Sequence, residues 1–295
     1  MVINVNLNQL RIFHSAAKRL NFTRAAEELH LTQPGISKHL KELEGSYGTR
    51  LFDRLGKKVV LTQAGEVLYE ATKAAFNLLD DAKARIDDIN GLAAGKLTIG
   101  ASVTLGTYLL PDKLLQFRQQ YPTVEIKVET AFNHHIIEKV LDNSLELGLV
   151  GRYLPDPRLA VKKFMTEQIL LIVSPLHPWA KRKTPICVNE LESQTYLVSK
   201  RGAGTWPIIE ALITQNNGHF GSIIELGTAE CVKRAVAANM GISMLARHVL
   251  DRELKDGEIK AVPLAGGEPI RDLFLVHHKD RYLSRTAQAF VDLLF

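Results

Sequence analysis

Residues 21–43, NFTRAAEELHLTQPGISKHLKEL, decide how the rest of the chain is read. They divide into two short helical patterns joined by a tight turn at His30, which Leu29 and Leu31 bracket. Thr32 is placed to cap the second helix, because its side-chain oxygen can accept from the unsatisfied N–H groups of a first turn. Pro34 stands inside that turn, where a missing N–H costs nothing. Ile36, Leu40 and Leu43 recur at i, i+4 and i+7 and make one apolar face. The opposite face carries Gln33, Ser37, Lys38 and Lys41. Such a helix suits a DNA major groove: Gln pairs bidentately with adenine, Lys reaches guanine or phosphate, and Ser serves either. An ordinary amphipathic surface helix would show the same periodicity, so the neighbouring residues have to decide.

Downstream, Leu51-Phe52-Asp53-Arg54 leads through Gly56-Lys57-Lys58 to Val59-Val60-Leu61 and then Thr62-Gln63-Ala64-Gly65. This order predicts a short hairpin, a wing with basic residues at its tip, and a further helix from Thr62. Upstream, residues 7–19 predict an opening helix with Leu7, Leu10, Phe13, Ala16 and Ala17 as its inner stripe, and Phe22 is expected to pack against it. Thr23, an alternative cap, and Arg24 stand at the start of the second helix. Hydroxyl, guanidinium and free N–H groups can meet a phosphate there; a solvated arginine is the competing reading of Arg24. Arg54, Lys57 and Lys58 are assigned to backbone contacts from the wing, with plain turn solubilisers as the alternative for the two lysines.

FTRAAEELHLTQPGISKHLKELE, followed by LFDR, GKKVVLT and AG, resembles the amino-terminal winged helix-turn-helix of the LysR-type bacterial transcriptional regulators. The likeness runs without a gap over residues 1–65, and the remaining 230 residues resemble that family's effector domain more loosely. Gly35 departs from the pattern, which usually has alanine or another helix former there. A glycine costs roughly 0.5–1 kcal/mol of helix stability, so a softer recognition helix is expected.

Charge supports the DNA reading by its location. Residues 1–65 hold 10 Lys or Arg against 5 Asp or Glu, whereas the other 230 residues hold 27 of each. The whole net charge of +5 therefore falls in the segment already suspected of binding nucleic acid. The basic residues lie on a polar face without exposed aromatics, which argues against a membrane surface as partner. A hydrophobic fraction of 46% with 23% charged residues is ordinary for a soluble protein, and no apolar run approaches a membrane span. The first ten residues lack a basic start and an apolar signal core. Two cysteines, Cys187 and Cys231, give neither a disulfide framework nor a zinc site. Together these features predict a cytoplasmic protein.

From Thr62 to Asn90 the pattern is one long helix. Leu68, Ala71, Ala75, Leu78, Ala82, Ile86 and Ile89 follow a near-heptad spacing, which implies a seam against another helix. Alternating alanines would let two helices approach closely. The simplest partner is the same helix from a second copy, as the resemblance also implies, so that a dimer offers two recognition helices to two half-sites. Packing on the chain's own second domain is the alternative.

Gly91-Leu92-Ala93-Ala94-Gly95 reads as a joint, and beyond it short strands alternate with helices. Strands are expected at 97–101, 124–130, 145–150, 169–174, 223–226, 242–245 and 273–277, and helices at 108–119, 136–142, 206–216, 229–238 and 284–294. That alternation predicts an α/β fold with largely parallel sheets. The resemblance adds two lobes joined by two crossovers, as in periplasmic binding proteins, with the crossovers near residues 160–163 and 264–269. The domains are then a winged helix-turn-helix over 1–65, a linker helix over 62–90 and an effector domain over 91–295. Lobe I takes 91–161 and 268–295, and lobe II takes 162–267.

Ligands of open α/β sheets bind at the carboxyl ends of strands, where helix N-termini favour anions. Four stretches qualify: Ser102-Val103-Thr104; Thr130-Ala131-Phe132; SKRGAGT over 199–205, with Ser199, Gly202, Gly204 and Thr205; and Gly227-Thr228-Ala229-Glu230. With Lys200 and Arg201 they suit a small carboxylate, sulfate or phosphate compound. The alternatives are ordinary helix caps and two cations turned to solvent. The resemblance puts an inducer pocket at the corresponding loops. ASVTLGTYLLP and SKRGAGTW are similar to the subgroup governing carbon fixation or sulfur assimilation, which again points to an anionic metabolite.

Catalytic patterns are missing. RGAGT lacks the ending of a P-loop, no G-x-G-x-x-G follows a strand, and Gly241-Ile242-Ser243 lacks the second glycine of a nucleophile elbow. His134-His135 and His277-His278 are adjacent pairs rather than the i, i+4 spacing of a helical metal face, and Cys187 has no neighbouring base. The sequence therefore predicts a ligand-responsive transcriptional regulator, not an enzyme, with no metal or cofactor. Its expected partners are double-stranded DNA, further copies of the chain as a homodimer or homotetramer, a small-molecule effector and, as a further candidate, RNA polymerase. A solute-binding protein with a fused head is the competing reading.

Overall fold

The computed structural model describes residues 5–56, 58–89, 95–201 and 204–295, without the side chains of residues 84 and 87–89. It forms two compact units, residues 1–86 and 87–295.

The first unit opens with α1 (Leu7–Arg19), whose N-terminus is closed by a capping box. Asn6 Oδ1 accepts from the Gln9 amide at 2.8 Å, and Gln9 Oε1 accepts from the Asn6 amide at 3.3 Å. Its inner stripe includes Ile12, Phe13, Ala16 and Ala17, all buried, while Leu7 is 55% exposed and falls outside the stripe expected of it. Helix α2 (Phe22–Glu28) starts two residues earlier than Thr23 would allow as a cap. Asn21 caps it instead, accepting from the amides of both Thr23 and Arg24. Helix α3 (Gln33–Tyr47) begins as expected, with Thr32 accepting from the Gly35 amide at 3.2 Å and Pro34 in the first turn. A methyl group on Gly35 would stand 3.2 Å from that same Thr32 oxygen, so glycine leaves the cap undisturbed. The wing follows as strands β1 (Phe52–Leu55) and β2 (Lys58–Leu61), paired antiparallel. Phe13 and Phe22 both meet Phe52 ring to ring, which ties the wing to α1 and α2.

Helix α4 (Gln63–Ile89) is held to the head at its first turn. The Thr62 hydroxyl donates to the Arg50 carbonyl at 2.7 Å and accepts from the Gly65 amide at 3.0 Å. Gly65 is required there, since a Cβ would lie 2.0 Å from the Leu51 carbonyl oxygen. Leu68, expected in the seam, is buried in the head's own core with Ile36, Leu40 and Leu43.

One turn further, the ring of His14 stacks on Tyr69 at 5.0 Å and meets Phe76 edge-on. Burial, reinforced by Lys18 and Lys73, pushes the His14 imidazole below its ordinary value of 6.5. The unfolded chain binds the proton more readily, so this residue's share of stability is full above pH 6.5 and falls as pH drops from there towards the folded value. NMR titration of the full chain, with His14→Gln to assign the resonance, is expected to give a pKa below 6.5. A value at or above 6.5 contradicts the packing described.

The second unit is built on β3 (Lys96–Ser102), flanked in parallel by β4 (Glu125–Ala131) and β5 (Leu147–Val150). Long strands β6 (Leu159–Val173) and β11 (Ile270–His278) then join antiparallel to the sheet and to each other. The sheet is therefore mixed, not largely parallel. Its antiparallel half comes from strands that return between lobes instead of crossing over a helix. Up to Gln168, β6 pairs with β11 in lobe I. From Ile169 it pairs with β9 (Ser243–Ala246) and β10 (Lys260–Val262) in lobe II. One continuous strand thus makes the first crossover, and the change of partner falls after residues 160–163, where the sequence placed it. The irregular burial of residues 159–167 concealed that first half, because a strand without clean alternation carries little periodic signal.

Lobe I packs α6 (Leu110–Gln120) and α11 (Arg285–Leu294) on one face, where Phe117 meets Phe290, and α7 (Asn133–Leu141) on the other. The helix expected at 108–119 is α6, starting two residues later, and a further short helix not expected from sequence, α5 (Val103–Tyr108), precedes it. Lobe II adds β7 (Thr195–Val198) and β8 (Ser222–Glu225), paired in parallel. It packs α8 (Trp206–Gln215) against Trp179, Leu191 and Tyr196 on one face. On the other, α9 (Ala229–Ala237) and α10 (Asp251–Asp256) cover a second core around Val232, Val236 and Leu250. Among the described residues, no helix is long and apolar enough to cross a membrane.

Candidate nucleic-acid interface and effector cleft

Helix α3 keeps its apolar face inside the head, with Ile36 and Leu43 fully buried and Leu40 4% exposed. This leaves Gln33, Pro34, Lys38 and Lys41 exposed and Ser37 half-buried on the outer side. Gln33 Nε2 donates to Ser37 Oγ at 3.0 Å, so the two polar side chains form one pre-arranged pair a turn apart. Arg54 and Lys58 are exposed on the wing, and Lys57 lies outside the described residues. Gly56, with φ +63°, supplies the left-handed backbone that the hairpin turn needs. Thr23 and Arg24 are exposed, but their amides are engaged by Asn21. What they can offer a phosphate is a hydroxyl and a guanidinium, not the free N–H groups expected from sequence. The outer face of the head is thus polar, with cations on both the helix and the wing.

The far side of α4 is apolar and open. Leu78 is 70% exposed and Ile86 58%, with Ala71 and Ala82 also exposed and Ala75 half-buried. The Ile89 side chain lies outside those described. Two side chains the size of Leu78 and Ile86, spaced along one stripe, give the helix an apolar edge that its own head leaves uncovered.

The candidate effector residues form two groups. In lobe I, Ser102 is buried at the end of β3 and makes no capping bond to α5, and Val103 and Thr104 follow it. Thr130 and Phe132 come from the neighbouring end of β4 and lie close by: a Cβ on Gly106 of α5 would come within 2.5 Å of Thr130 Cγ2. In lobe II, the loops after β7 and β8 are joined by the Gly227 amide, which donates to the Ser199 carbonyl at 2.7 Å. Thr228 caps α9, accepting from the Cys231 amide at 3.2 Å, so its hydroxyl is already engaged. Thr205 makes no such bond at the start of α8. Gly202 lies outside the described residues. Gly204 lines an open groove of about 480 Å³ with Arg152, Pro207 and Ile270.

Lys200 joins the two groups. Its Nζ stands 4.7 Å from the centroid of the Phe132 ring, so a lobe II cation rests on a lobe I aromatic. His134 stacks on the same ring with the planes 5° apart. Lys200, with Ser102 and Thr205, whose side chains cap neither following helix, makes a cation and two hydroxyls of the kind that bind an anion, and the next residue, Arg201, is exposed. Among the described residues, no three His, Cys, Asp or Glu side chains are grouped to hold a metal.

Two family models match the chain. One, described as a bacterial regulatory helix-turn-helix protein of the lysR family, matches residues 7–66. The other, a LysR substrate binding domain, matches residues 90–295. Among curated proteins, the chain is 31% identical to the HTH-type transcriptional activator CmpR of Synechocystis, over 99% of this chain and 95% of that one. It is 29% identical to the RuBisCO operon transcriptional regulator of Allochromatium vinosum, over 98% and 95%. Among solved structures, a full-length OxyR variant from Pseudomonas aeruginosa superposes with a TM-score of 0.77 at 22% identity, covering 99% of this chain and 95% of that one. Full-length CbnR, solved with its target DNA, gives 0.70 at 19% identity, covering 98% and 99%. The CcmR regulatory domain of Synechocystis, in complex with 2-PG, gives 0.62 at 25% identity, covering 68% and 95%.

Proposed function

The chain belongs to the LysR family of DNA-binding transcriptional regulators, and on that premise we propose that a small anion held between the lobes sets its activity on DNA. The observation that carries the proposal is the Lys200–Phe132 contact, which puts a cation of one lobe at the mouth of the other lobe's hydroxyl-lined loops. An anion there would be held by Lys200 and Arg201 together with the hydroxyls of Ser102, Thr104, Thr130 and Thr205, with Phe132 as an apolar wall. The binding of 2-PG by the CcmR regulatory domain supports this ligand class. Calorimetric titration of the full chain with 2-PG, inorganic phosphate and sulfate tests it. At least one is expected to bind, with a Kd about tenfold or more weaker in Lys200→Met, the loss of one charge-assisted contact at about 1.4 kcal/mol or above. Binding of none of the three removes the anion reading.

On DNA, α3 enters the major groove with Gln33, Ser37 and Lys38 towards base edges, and Lys41, Arg54 and Lys58 on backbone phosphates. Thr23 and Arg24 add backbone contacts from α2. The protein acts as a homodimer or a pair of dimers joined through α4, with Ala71, Ala75, Leu78, Ala82 and Ile86 in the seam. Leu78 gives the sharpest test. Two copies of a buried leucine are worth about 3–6 kcal/mol, so Leu78→Asp is expected to raise the dimer dissociation constant at least a hundredfold. Sedimentation velocity should then show monomer where the wild type is dimeric. An unchanged sedimentation coefficient would exclude α4 as the seam. An anion that favours one arrangement of the lobes would act by shifting the population of the dimer's DNA-bound geometries.

A further inference from the structure

Tyr108 ends α5 at the opposite end from the cleft residues Val103 and Thr104. The helix belongs to lobe I, where Leu105 is fully buried in the core beside Leu97 and Ile99. The Tyr108 side chain nevertheless packs against the second core of lobe II, around Val232 and Val236. Its hydroxyl donates to Glu230 Oε2 at 3.3 Å. Lys233 Nζ stands 4.6 Å from the ring centroid, and the His248 ring meets it edge-on at 6.4 Å.

The receiving groups are fixed in place. Lys233 is 4% exposed and bonded to Glu253 at 2.6 Å and Glu230 at 3.0 Å, and a desolvated, immobile cation is where a cation–π contact is strongest. His248 is anchored to Glu167 of β6. Burial pushes the Tyr108 phenol up, so it stays a hydrogen-bond donor at neutral pH. Within the same helix, Gly106 runs so close to Thr130 that an added Cβ would stand 2.5 Å from its Cγ2. A six-residue helix is about 9 Å long and has no internal joint, so displacement of its cleft end must carry Tyr108 with it.

We propose that Tyr108 is a latch between the lobes, and that α5 is the lever through which occupancy of the cleft engages or releases it. The latch stands on the contacts above; its trigger rests on the anion reading. The ligand works the latch only by binding one lobe arrangement more tightly than the other.

The test is a distance measurement on the full chain. Spin labels are placed on native Cys187 in lobe II and on Lys127→Cys in β4, both exposed, in a Cys231→Ser background diluted with unlabelled chain. The wild type is expected to give one narrow interlobe distribution. Tyr108→Ala is expected to add a displaced population, raising its share relative to the latched form about tenfold (about 1.4 kcal/mol). Tyr108→Phe, which keeps the ring and the fold but loses the Glu230 bond, should fall between them. Adding 2-PG or inorganic phosphate should move the wild type and leave Tyr108→Ala where it is. Distributions unaltered in Tyr108→Ala overturn the latch, even if an anion moves both proteins, in which case the cleft reading stands alone. A change in Tyr108→Ala with no response of the wild type to either anion supports the latch and removes its trigger.

Discussion

Replacing Ser37 and Lys38 together by alanine is expected to abolish specific DNA binding while leaving the head folded and the oligomer intact. Neither side chain supports the fold: Lys38 is exposed, Ser37 is half-buried, and the core face of α3 is carried by Ile36, Leu40 and Leu43. Alanine also favours the helix at both positions. The loss is compounded by geometry. Gln33 Nε2 donates to Ser37 Oγ, so removing the hydroxyl frees the Gln33 amide as well. Each good base-edge contact is worth about 1–3 kcal/mol of discrimination. Two lost contacts and a loosened third therefore cost about 3 kcal/mol or more, a hundredfold or greater fall in specific affinity. Weak, salt-sensitive binding through Lys41, Arg54 and Lys58 should persist. Competition binding at one fixed salt concentration checks this. Retention of specific affinity would mean that another surface reads the sequence.

The largest effect on stability is expected at Arg271. It lies directly opposite Glu167 where β6 and β11 pair, just before β6 leaves for lobe II, and both residues are buried. Arg271 Nε donates to one carboxylate oxygen of Glu167 at 2.5 Å, and His248 Nδ1 meets the other. Removing one member of a buried ion pair leaves an uncompensated charge and costs about 3–5 kcal/mol. Arg271→Met should therefore destabilise the second unit by that amount. Glu167→Gln combined with Arg271→Met, which leaves no charge stranded, should recover most of it. Both tryptophans, Trp179 and Trp206, lie in the lobe II core, so fluorescence-monitored denaturation reads this unit. Equal destabilisation in the single and double variants would contradict the account.

The same cluster sets a pH dependence. Burial alone would push the Glu167 carboxyl up, but the bond from His248 and the charge of Arg271 outweigh it and hold the group below its ordinary value of 4.5. A depressed carboxyl contributes stability that is present above the unfolded value and lost as pH falls from 4.5 through the folded one. The wild type should keep this contribution down to about pH 4.5.

The head was legible in the sequence because its signals are local. Thr32, Pro34 and the Ile36-Leu40-Leu43 face lie within a dozen residues, and helix α3 starts where they place it. The cap of α2 was misassigned since Asn21 and Thr23 are both good capping residues, and only the backbone geometry selects Asn21. Leu68 fits a heptad as well as it fits the head's core, and periodicity cannot say which neighbour a stripe meets. In the second unit the sequence located β3, β4, β5, β8, β9, β11 and the second half of β6. Missed were β7, β10 and the first half of β6, whose burial depends on partners far away in sequence. The Lys200–Phe132 and Tyr108–Lys233 contacts join residues in different lobes. No local pattern announces such a pair, so the bridge across the cleft was visible only in the fold.

Footprinting on the DNA flanking the chain's own gene, at one stated salt concentration and with or without 2-PG, phosphate or sulfate, tests the central claim most directly. The expected result is a two-part protected site, one part for each recognition helix of a dimer, that shortens or shifts when one of the anions is added. A two-part site that none of them alters would contradict control by an anion between the lobes.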